Sequence, residues 1–342
     1  MYIPYLKMLK ISSPKITLAV LGGGSWATAL VKIFTDSKIH VNWYVRNPED
    51  AQKIIATSKN PNYLTEIKFK PSRISVSSDI NEVVSKSEWI VFAIPSAYLE
   101  SELKKIKPPL KDKIIVSGVK GFIPETQLIV GEHLHRHYGL SWERFIVIGG
   151  PSHAEEIALE RLSYLTLASK SKDNAALLHR LMRTSYLKVK VSNDVIGIEY
   201  AATLKNVYAL ASGIAHGLSY GDNFQSVLIS NSTREMNRFI KKVSNRKRNI
   251  NHSAYLGDLL VTAYSLFSRN RRFGNMIGRG YTVKGAQLEM NMVAEGYYAC
   301  ESAYKMSKSL GVNTPIIDAI YGVLYLKKSP RRMFQKLSKK LS

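Results

Sequence analysis

The sequence predicts an α/β first part, a mostly parallel sheet flanked by helices, followed by an all-α second part. Three observations predict it. Short β-branched apolar runs alternate with helix-compatible segments as far as about residue 190, the texture of successive strand-helix-strand units. The first of those runs opens straight into Gly22-Gly23-Gly24-Ser25-Trp26-Ala27, a glycine turn that leads into a helix. After Asp194 the strand-like runs stop, and long apolar, helix-compatible segments continue to about Leu326. The boundary is expected at residues 191–196. That divides the chain into a dinucleotide-binding part, 1–194, and a helical substrate part, 195–342.

The elements follow in order. Residues 15–21 (KITLAVL) read as the first strand and 28–34 as the helix beyond the turn. The turn has the form G-x-G-x-x-A: Gly22 permits the tight bend, and Gly24 lets the backbone approach a pyrophosphate held at the helix N-terminus. Ala27 keeps the helix close to the sheet. In this context the first part is Rossmann-like. The second strand, 40–45, ends at Arg46, where an NAD-preferring site carries an acid for the ribose. An arginine there stacks on adenine or pairs with a 2′-phosphate, so NADP is preferred over NAD, the other reading being a surface arginine.

Further strands are expected at 88–94, 113–117, 145–148 and 162–168. Their ends carry Pro95-Ser96, Val119-Lys120-Gly121 and the run from Gly149 to Glu155. Open α/β sheets bind ligands at that edge. Lys120 is therefore placed on the ligand side, either as a group for a substrate oxygen or as an ordinary loop lysine.

The second part begins with residues 196–218, IGIEYAATLKNVYALASGIAHGL. On a helix, Lys205 rises from a face of Ala201, Ala202, Tyr208 and Ala209. Such a lysine is either paired with Glu199 or carried to a surface, or it is a desolvated proton-transfer group. The small residues around it are expected to form a floor for ligands. Glu199, Lys205, Asn206 and His216, with three glycines, argue for a buried soluble helix over a membrane span.

Asp258 stands among apolar residues in LGDLL, and Lys205 is the first partner to expect for it. Residues 268–274, SRNRRFG, collect three arginines and an amide, which suits either a phosphate or a solvated basic turn. Glu295 lies in an apolar helix, available for an ion pair or a cofactor amide.

Composition limits the function classes. The 342 residues carry 49 Lys+Arg against 26 Asp+Glu, a net charge of +23. The densest basic runs, 240–249 and 327–340, lack interleaved aromatics, so solvated surface is expected and no specific nucleic-acid partner. The single cysteine, Cys300, excludes an internal disulfide and a cysteine metal cluster. No metal is expected, and a reducing cytoplasm fits. Residues 1–15 lack the apolar core and cleavage site of a signal peptide and read as a short extension.

The motifs GGGSWATAL, VKGFIPET, GGPSHAEEI, DVIGIEYAATLKNVYALASGIAHGL, GDN, LGDLLVT, SRNRRFG and VAEGYYA occur in that order. From about Ile16 to Ser329 the chain resembles the bacterial type of NAD(P)-dependent glycerol-3-phosphate dehydrogenase. The resemblance implies reduction of dihydroxyacetone phosphate to glycerol 3-phosphate for phospholipid synthesis, in a cleft between the two parts. It makes Lys205 the proton donor and acceptor at the substrate C2 oxygen, with Asn206 beside it and Asp258 orienting the ammonium.

By the same resemblance Lys120 binds substrate and touches the nicotinamide end, and Gly150 and Ser152 line the substrate site. Ser268, Arg269 and Asn270 hold the substrate phosphate. Ser25, Trp26, Arg46, Ala154, Arg269, Val293 and Glu295 contact the dinucleotide. The substrate is a phosphorylated triose, and a homodimer is compatible with the resemblance. Two stretches depart from the pattern: Asn231 stands where relatives carry an arginine, with Arg234 one turn further on as its expected substitute, and residues 251–255 replace a glycine-rich turn.

Overall fold

The computed structural model describes residues 16–290 and 294–342; the expected extension at 1–15 and Val293 lie outside the described residues. Eight strands form one sheet: β1 (Leu18–Leu21), β2 (Val41–Tyr44), β3 (Ile74–Ser77), β4 (Trp89–Phe92), β5 (Ile114–Ser117), β8 (Phe145–Gly149), β9 (Ser163–Ser169) and β10 (Leu187–Ser192). A small hairpin, β6 (Phe122–Ile123) with β7 (Leu128–Ile129), stands apart. The sheet order is β10-β9-β8-β5-β4-β1-β2-β3. The chain runs outward from β1 through β2 to β3, then returns to place β4 on the other side of β1. The C-terminal ends of β1 and β4 therefore flank a crevice at the topological switch point.

The expected mostly parallel sheet is present: six strands run one way, while β9 runs antiparallel to β8 and β10 pairs parallel with β9. Two further strands, β3 and β10, fall outside the expected set. They are ISVS and LKVKVS, and they occupy the two edges, where half of each strand faces solvent and polar residues are tolerated. The central strands β1 and β4 are wholly buried, as continuous apolar runs require in a sheet covered on both faces.

The helical part is built around one helix, Val195–Gly217, buried without interruption from Gly197 to Ala215. Asp194 caps its start, accepting from the Gly197 amide at 3.2 Å. The same carboxylate receives Arg248 Nε at 2.8 Å and the Tyr255 hydroxyl. Arg248 thus lies inside the protein, which corrects the expectation of a wholly solvated run at 240–249. The tail is also partly packed, since the helix Pro330–Ser338 buries Phe334 and Leu337.

The helix Arg269–Gly278 lies against the central helix along glycines on both sides. A Cβ at Gly213 would stand 2.1 Å from the Arg271 carbonyl oxygen, and one at Gly274 would stand 2.3 Å from that of Leu210. One turn along, a Cβ at Gly217 or Gly278 would lie 2.4 Å from the carbonyl oxygen of Asn275 or Ile214. Only glycine permits this approach. Ala201, Ala202 and Ala209 are buried, and none of them lines the cleft described below. The expected alanine floor is therefore not formed.

Glu199 points to the sheet side of the same helix and accepts from the Gly131 amide at 3.0 Å. It is not the partner of Lys205. Burial pushes its carboxyl up to about 8. Cys300 is free and buried. Among the described residues no helix is long and apolar enough to cross a membrane.

The raised Glu199 carboxyl makes a pH prediction. Folded chain keeps this proton up to about pH 8, whereas unfolded chain releases it near 4.5. The stability it contributes is fully present below the lower value and is lost as pH rises through the upper one. Glu199→Gln should flatten the fall in melting temperature across that window; parallel curves for the two proteins would refute the assignment.

Candidate functional site

A cleft of about 410 Å³ runs from the ends of β1 and β2 to the central helix. At one end lies the glycine turn. Gly22 has φ +135°, and a Cβ there would sit 2.5 Å from the Ala93 carbonyl oxygen. Gly24 precedes the helix Ser25–Asp36 without supplying a side-chain cap. A Cβ on Gly24 would meet nothing within 4 Å, so the turn leaves open space beside the unclaimed amides of the helix N-terminus. That combination fits a pyrophosphate.

The turn is held from behind: Trp43 Nε1 donates to the Gly22 carbonyl at 2.7 Å, and Asn60 Nδ2 donates to the Gly23 carbonyl at 2.9 Å. Asn60 belongs to no motif in the sequence and is recognisable only once folded. Arg46 lines the same end, with its guanidinium carbon 6.0 Å from the centre of the Tyr98 ring. Ser25, Trp26 and Ala154 line the cleft as well.

At the other end Lys205 Nζ is paired directly with Asp258 Oδ1, and both residues are buried. The second Asp258 oxygen accepts from the Gly150 amide at 3.3 Å. Gly150, at φ +105°, therefore stands behind the cleft wall and does not line it, in contrast to the expectation for it. Ser152 does line the cleft and donates to the Gly150 carbonyl at 3.0 Å. A π-helical turn, Ser253–Gly257, leads into the helix that carries Asp258. Tyr255 within that turn bonds to Asp194, so the unusual segment at 251–255 is tied to the start of the central helix.

Lys120 enters from the loop after β5. Its carbonyl accepts from Asn206 Nδ2 at 2.9 Å, and its ammonium lies 4.6 Å from the centre of the Trp26 ring. Burial first, and then the charge of Lys205, brings its pKa down to about 8. The two lysines therefore share one site with different surroundings. Lys205 is balanced by a carboxylate, whereas Lys120 rests on an aromatic face.

Ser268 caps the helix Arg269–Gly278, accepting from the Arg271 amide at 3.3 Å. Ser268, Arg269 and Asn270 all line the cleft; Arg271 and Arg272 do not. Asn270 Oδ1 accepts from the Gly296 amide at 2.9 Å. Beside it, Glu295 Oε1 accepts from the Ser96 amide at 3.3 Å, and burial raises its pKa against the opposing pull of Arg269.

Arg234 does not reach this anion-suited end. It donates to the Ser342 carbonyl at 3.2 Å, while Asn231 donates to the same oxygen at 2.9 Å. Neither lines the cleft. One turn of the helix Asp222–Val243 turns both side chains toward the C-terminal residue, and the substitution expected from their spacing fails for that reason. His153, Thr262 and Phe267 also line the cleft and were not anticipated as site residues. Among the described residues no group of three His, Cys, Asp or Glu is placed to hold a metal ion.

Comparison with known proteins places both parts of the chain in one family. The model for the N-terminus of NAD-dependent glycerol-3-phosphate dehydrogenase matches residues 17–175, and the model for its C-terminus matches 194–335. The chain is 34% identical over 310 residues to glycerol-3-phosphate dehydrogenase [NAD(P)+] of Chlorobium limicola, covering 90% of this chain and 93% of that protein. It is 33% identical over 321 residues to the same-named protein of Clostridium botulinum, covering 94% and 96%. The crystal structure of glycerol-3-phosphate dehydrogenase from Coxiella burnetii superposes with a TM-score of 0.88 at 26% identity, covering 95% of this chain and 99% of that one.

The buried pair gives a stability prediction. Asp258→Ala leaves the Lys205 ammonium without its carboxylate, and loss of one partner of such a pair costs about 3–5 kcal/mol. Urea unfolding should show that loss, and Lys205→Met should show a similar one because it strands the buried Asp258 carboxylate. The double substitution should lose clearly less than the sum of the two, and additive losses would count against the pair as the source.

Proposed function

This chain belongs to the NAD(P)-dependent glycerol-3-phosphate dehydrogenase family, and on that premise we propose that it reduces dihydroxyacetone phosphate to sn-glycerol 3-phosphate, reversibly. The observation that carries the reading is the meeting in one cleft of the Lys205–Asp258 pair, Lys120 and the Ser268-Arg269-Asn270 turn. The nucleotide part, 1–194, would hold the dinucleotide and the helical part, 195–342, the substrate. A cytoplasmic enzyme supplying phospholipid synthesis is part of the same reading.

When bound, the reduced nicotinamide supplies the hydride that adds to C2. The protein's own work is to position the ketone and manage charge on its oxygen. Ser268, Arg269 and Asn270 take the phosphate, whose binding energy orients the reacting carbon as well as adding affinity. Lys205 gives a proton from Nζ to the C2 oxygen as that oxygen gains charge, and takes it back in oxidation. Asp258 keeps the ammonium aimed, being itself held by the Gly150 amide. Proton donation of this kind is worth on the order of 100- to 10,000-fold in rate. Lys120 adds a second positive charge at the same oxygen.

The glycine turn and Arg46 support a dinucleotide with or without a 2′-phosphate, and an arginine at that position favours NADPH. Oxidation of NADH and NADPH with dihydroxyacetone phosphate, run side by side, tests both the reaction and the preference. No oxidation of either would refute the reading.

Lys205→Ala should abolish turnover while the dissociation constant for NAD(P)H changes little; a matching loss of cofactor binding would remove Lys205 from the chemistry. Arg269→Ala should weaken dihydroxyacetone phosphate far more than dihydroxyacetone, and equal losses would rule out the phosphate anchor.

A further inference from the structure

His153 forms part of the cleft wall between Ser152 and Ala154. It comes from the sheet side, on the loop after β8, and its ring centre lies 6.2 Å from that of Phe267. Its Nε2 is buried and has no hydrogen-bond partner. A buried polar nitrogen left unpaired is costly, and such an atom in the wall of a ligand cleft calls for an explanation.

The surroundings of the ring narrow the choice. The groups acting on it are the ammonium ions of Lys205 and Lys120, the Asp258 carboxylate and a hydrogen bond with the Val261 backbone. Burial, reinforced by the two lysines, lowers its pKa to about 4. The imidazole is therefore neutral near pH 7, with one donor and one acceptor nitrogen. The ring donates to the Val261 backbone through its other nitrogen, so the unpaired Nε2 is the acceptor. A phosphate, which offers only acceptor oxygens, does not satisfy it, whereas a neutral hydroxyl donates to it.

We propose that His153 recognises the terminal C1 hydroxyl of the substrate and is the residue that selects a hydroxymethyl ketone over a methyl ketone. This rests on the reading of dihydroxyacetone phosphate as substrate. Of that molecule's polar groups, the phosphate goes to Ser268, Arg269 and Asn270, and the C2 oxygen to Lys205. The C1 hydroxyl remains, attached directly to the reacting carbon, and its proton needs an acceptor. Of the two cleft side chains with an unpaired buried nitrogen among the described residues, Trp26 Nε1 is a donor only and His153 Nε2 is the acceptor. No bond is made or broken at this hydroxyl. Its role is orientation, and a site built to hydrogen-bond a hydroxyl discriminates strongly against an analogue that lacks one.

The test compares dihydroxyacetone phosphate with acetonyl phosphate, which keeps the ketone and the phosphate and replaces the hydroxymethyl group by methyl. Wild-type protein should prefer the hydroxylated ketone by about 100-fold or more in kcat/KM. His153→Leu should lose most of that preference, through a fall of about 100-fold for dihydroxyacetone phosphate and less than about threefold for acetonyl phosphate. His153→Asn, which keeps a donor and an acceptor, should retain an intermediate preference. Acetonyl phosphate turnover by the same variant reports that the protein is folded and its machinery intact.

A parallel fall for both ketones would make His153 a structural residue and overturn the proposal. So would an unchanged preference in His153→Leu, or the absence of a preference in wild type. Wild-type protein that reduces neither ketone would refute the dihydroxyacetone phosphate reading itself, and the hydroxyl assignment with it. Normal wild-type turnover with an unaltered ratio refutes the hydroxyl assignment alone.

Discussion

The substrate end of the cleft depends on a backbone-to-backbone contact between two helices. Gly213 and Gly217 on the central helix meet Gly274 and Gly278 on the helix Arg269–Gly278, with no room for a Cβ at any of the four. Contacts between side chains adjust by changing rotamer, but contacts between backbones do not. Asn270 lies one helical turn before Gly274, and Lys205 about two turns before Gly213. The glycines thus set the distance between the anion-suited turn and the ammonium. A third approach locks the arrangement: a Cβ at Gly296 would stand 2.5 Å from the Asn206 carbonyl oxygen, while the Gly296 amide binds Asn270.

On that frame the charges are treated unequally. Asp258 is aimed by Lys205 on one oxygen and by the Gly150 amide on the other, so an element of the sheet part holds a carboxylate of the helical part. Lys120 is left to an indole face and to its own burial. The two ammonium groups therefore face the same cleft with different support, one held by a carboxylate and the other on an aromatic face with its pKa lowered to about 8. Burial of an ionisable group does not by itself mark a site. Glu235 is also buried and raised, to about 7, yet it accepts from the Ile316 and Ile317 amides at 2.9 and 3.0 Å. It caps the start of the helix Pro315–Leu324, where a carboxylate is favoured by the helix dipole.

Much of this was legible in order along the chain. The glycine turn, the central strands, the lysine in a long apolar helix and the basic turn at 268–274 are local patterns, each carried by residues within one element. The edge strands β3 and β10 were less legible because their strict alternation, ISVS and LKVKVS, leaves only two or three apolar residues in each, in place of the continuous apolar runs of the central strands. A short alternating pattern gives one apolar face but not its place in the sheet. Arg234 was misplaced for a related reason: spacing along a helix tells which residues share a face, but not what that face meets.

The sequence by itself determined the succession of a nucleotide-binding sheet and a helical bundle, because β-branched runs, glycine turns and helical periodicity are short-range properties of the chain. It also named both lysines and Asp258. Only the tertiary structure decided that Asp258, and not Glu199, pairs with Lys205, that Gly150 supports the wall from behind, and that Asn60 and His153 belong to the cleft. Those relations join residues far apart in sequence, and they come into being only when the sheet edge closes against the central helix.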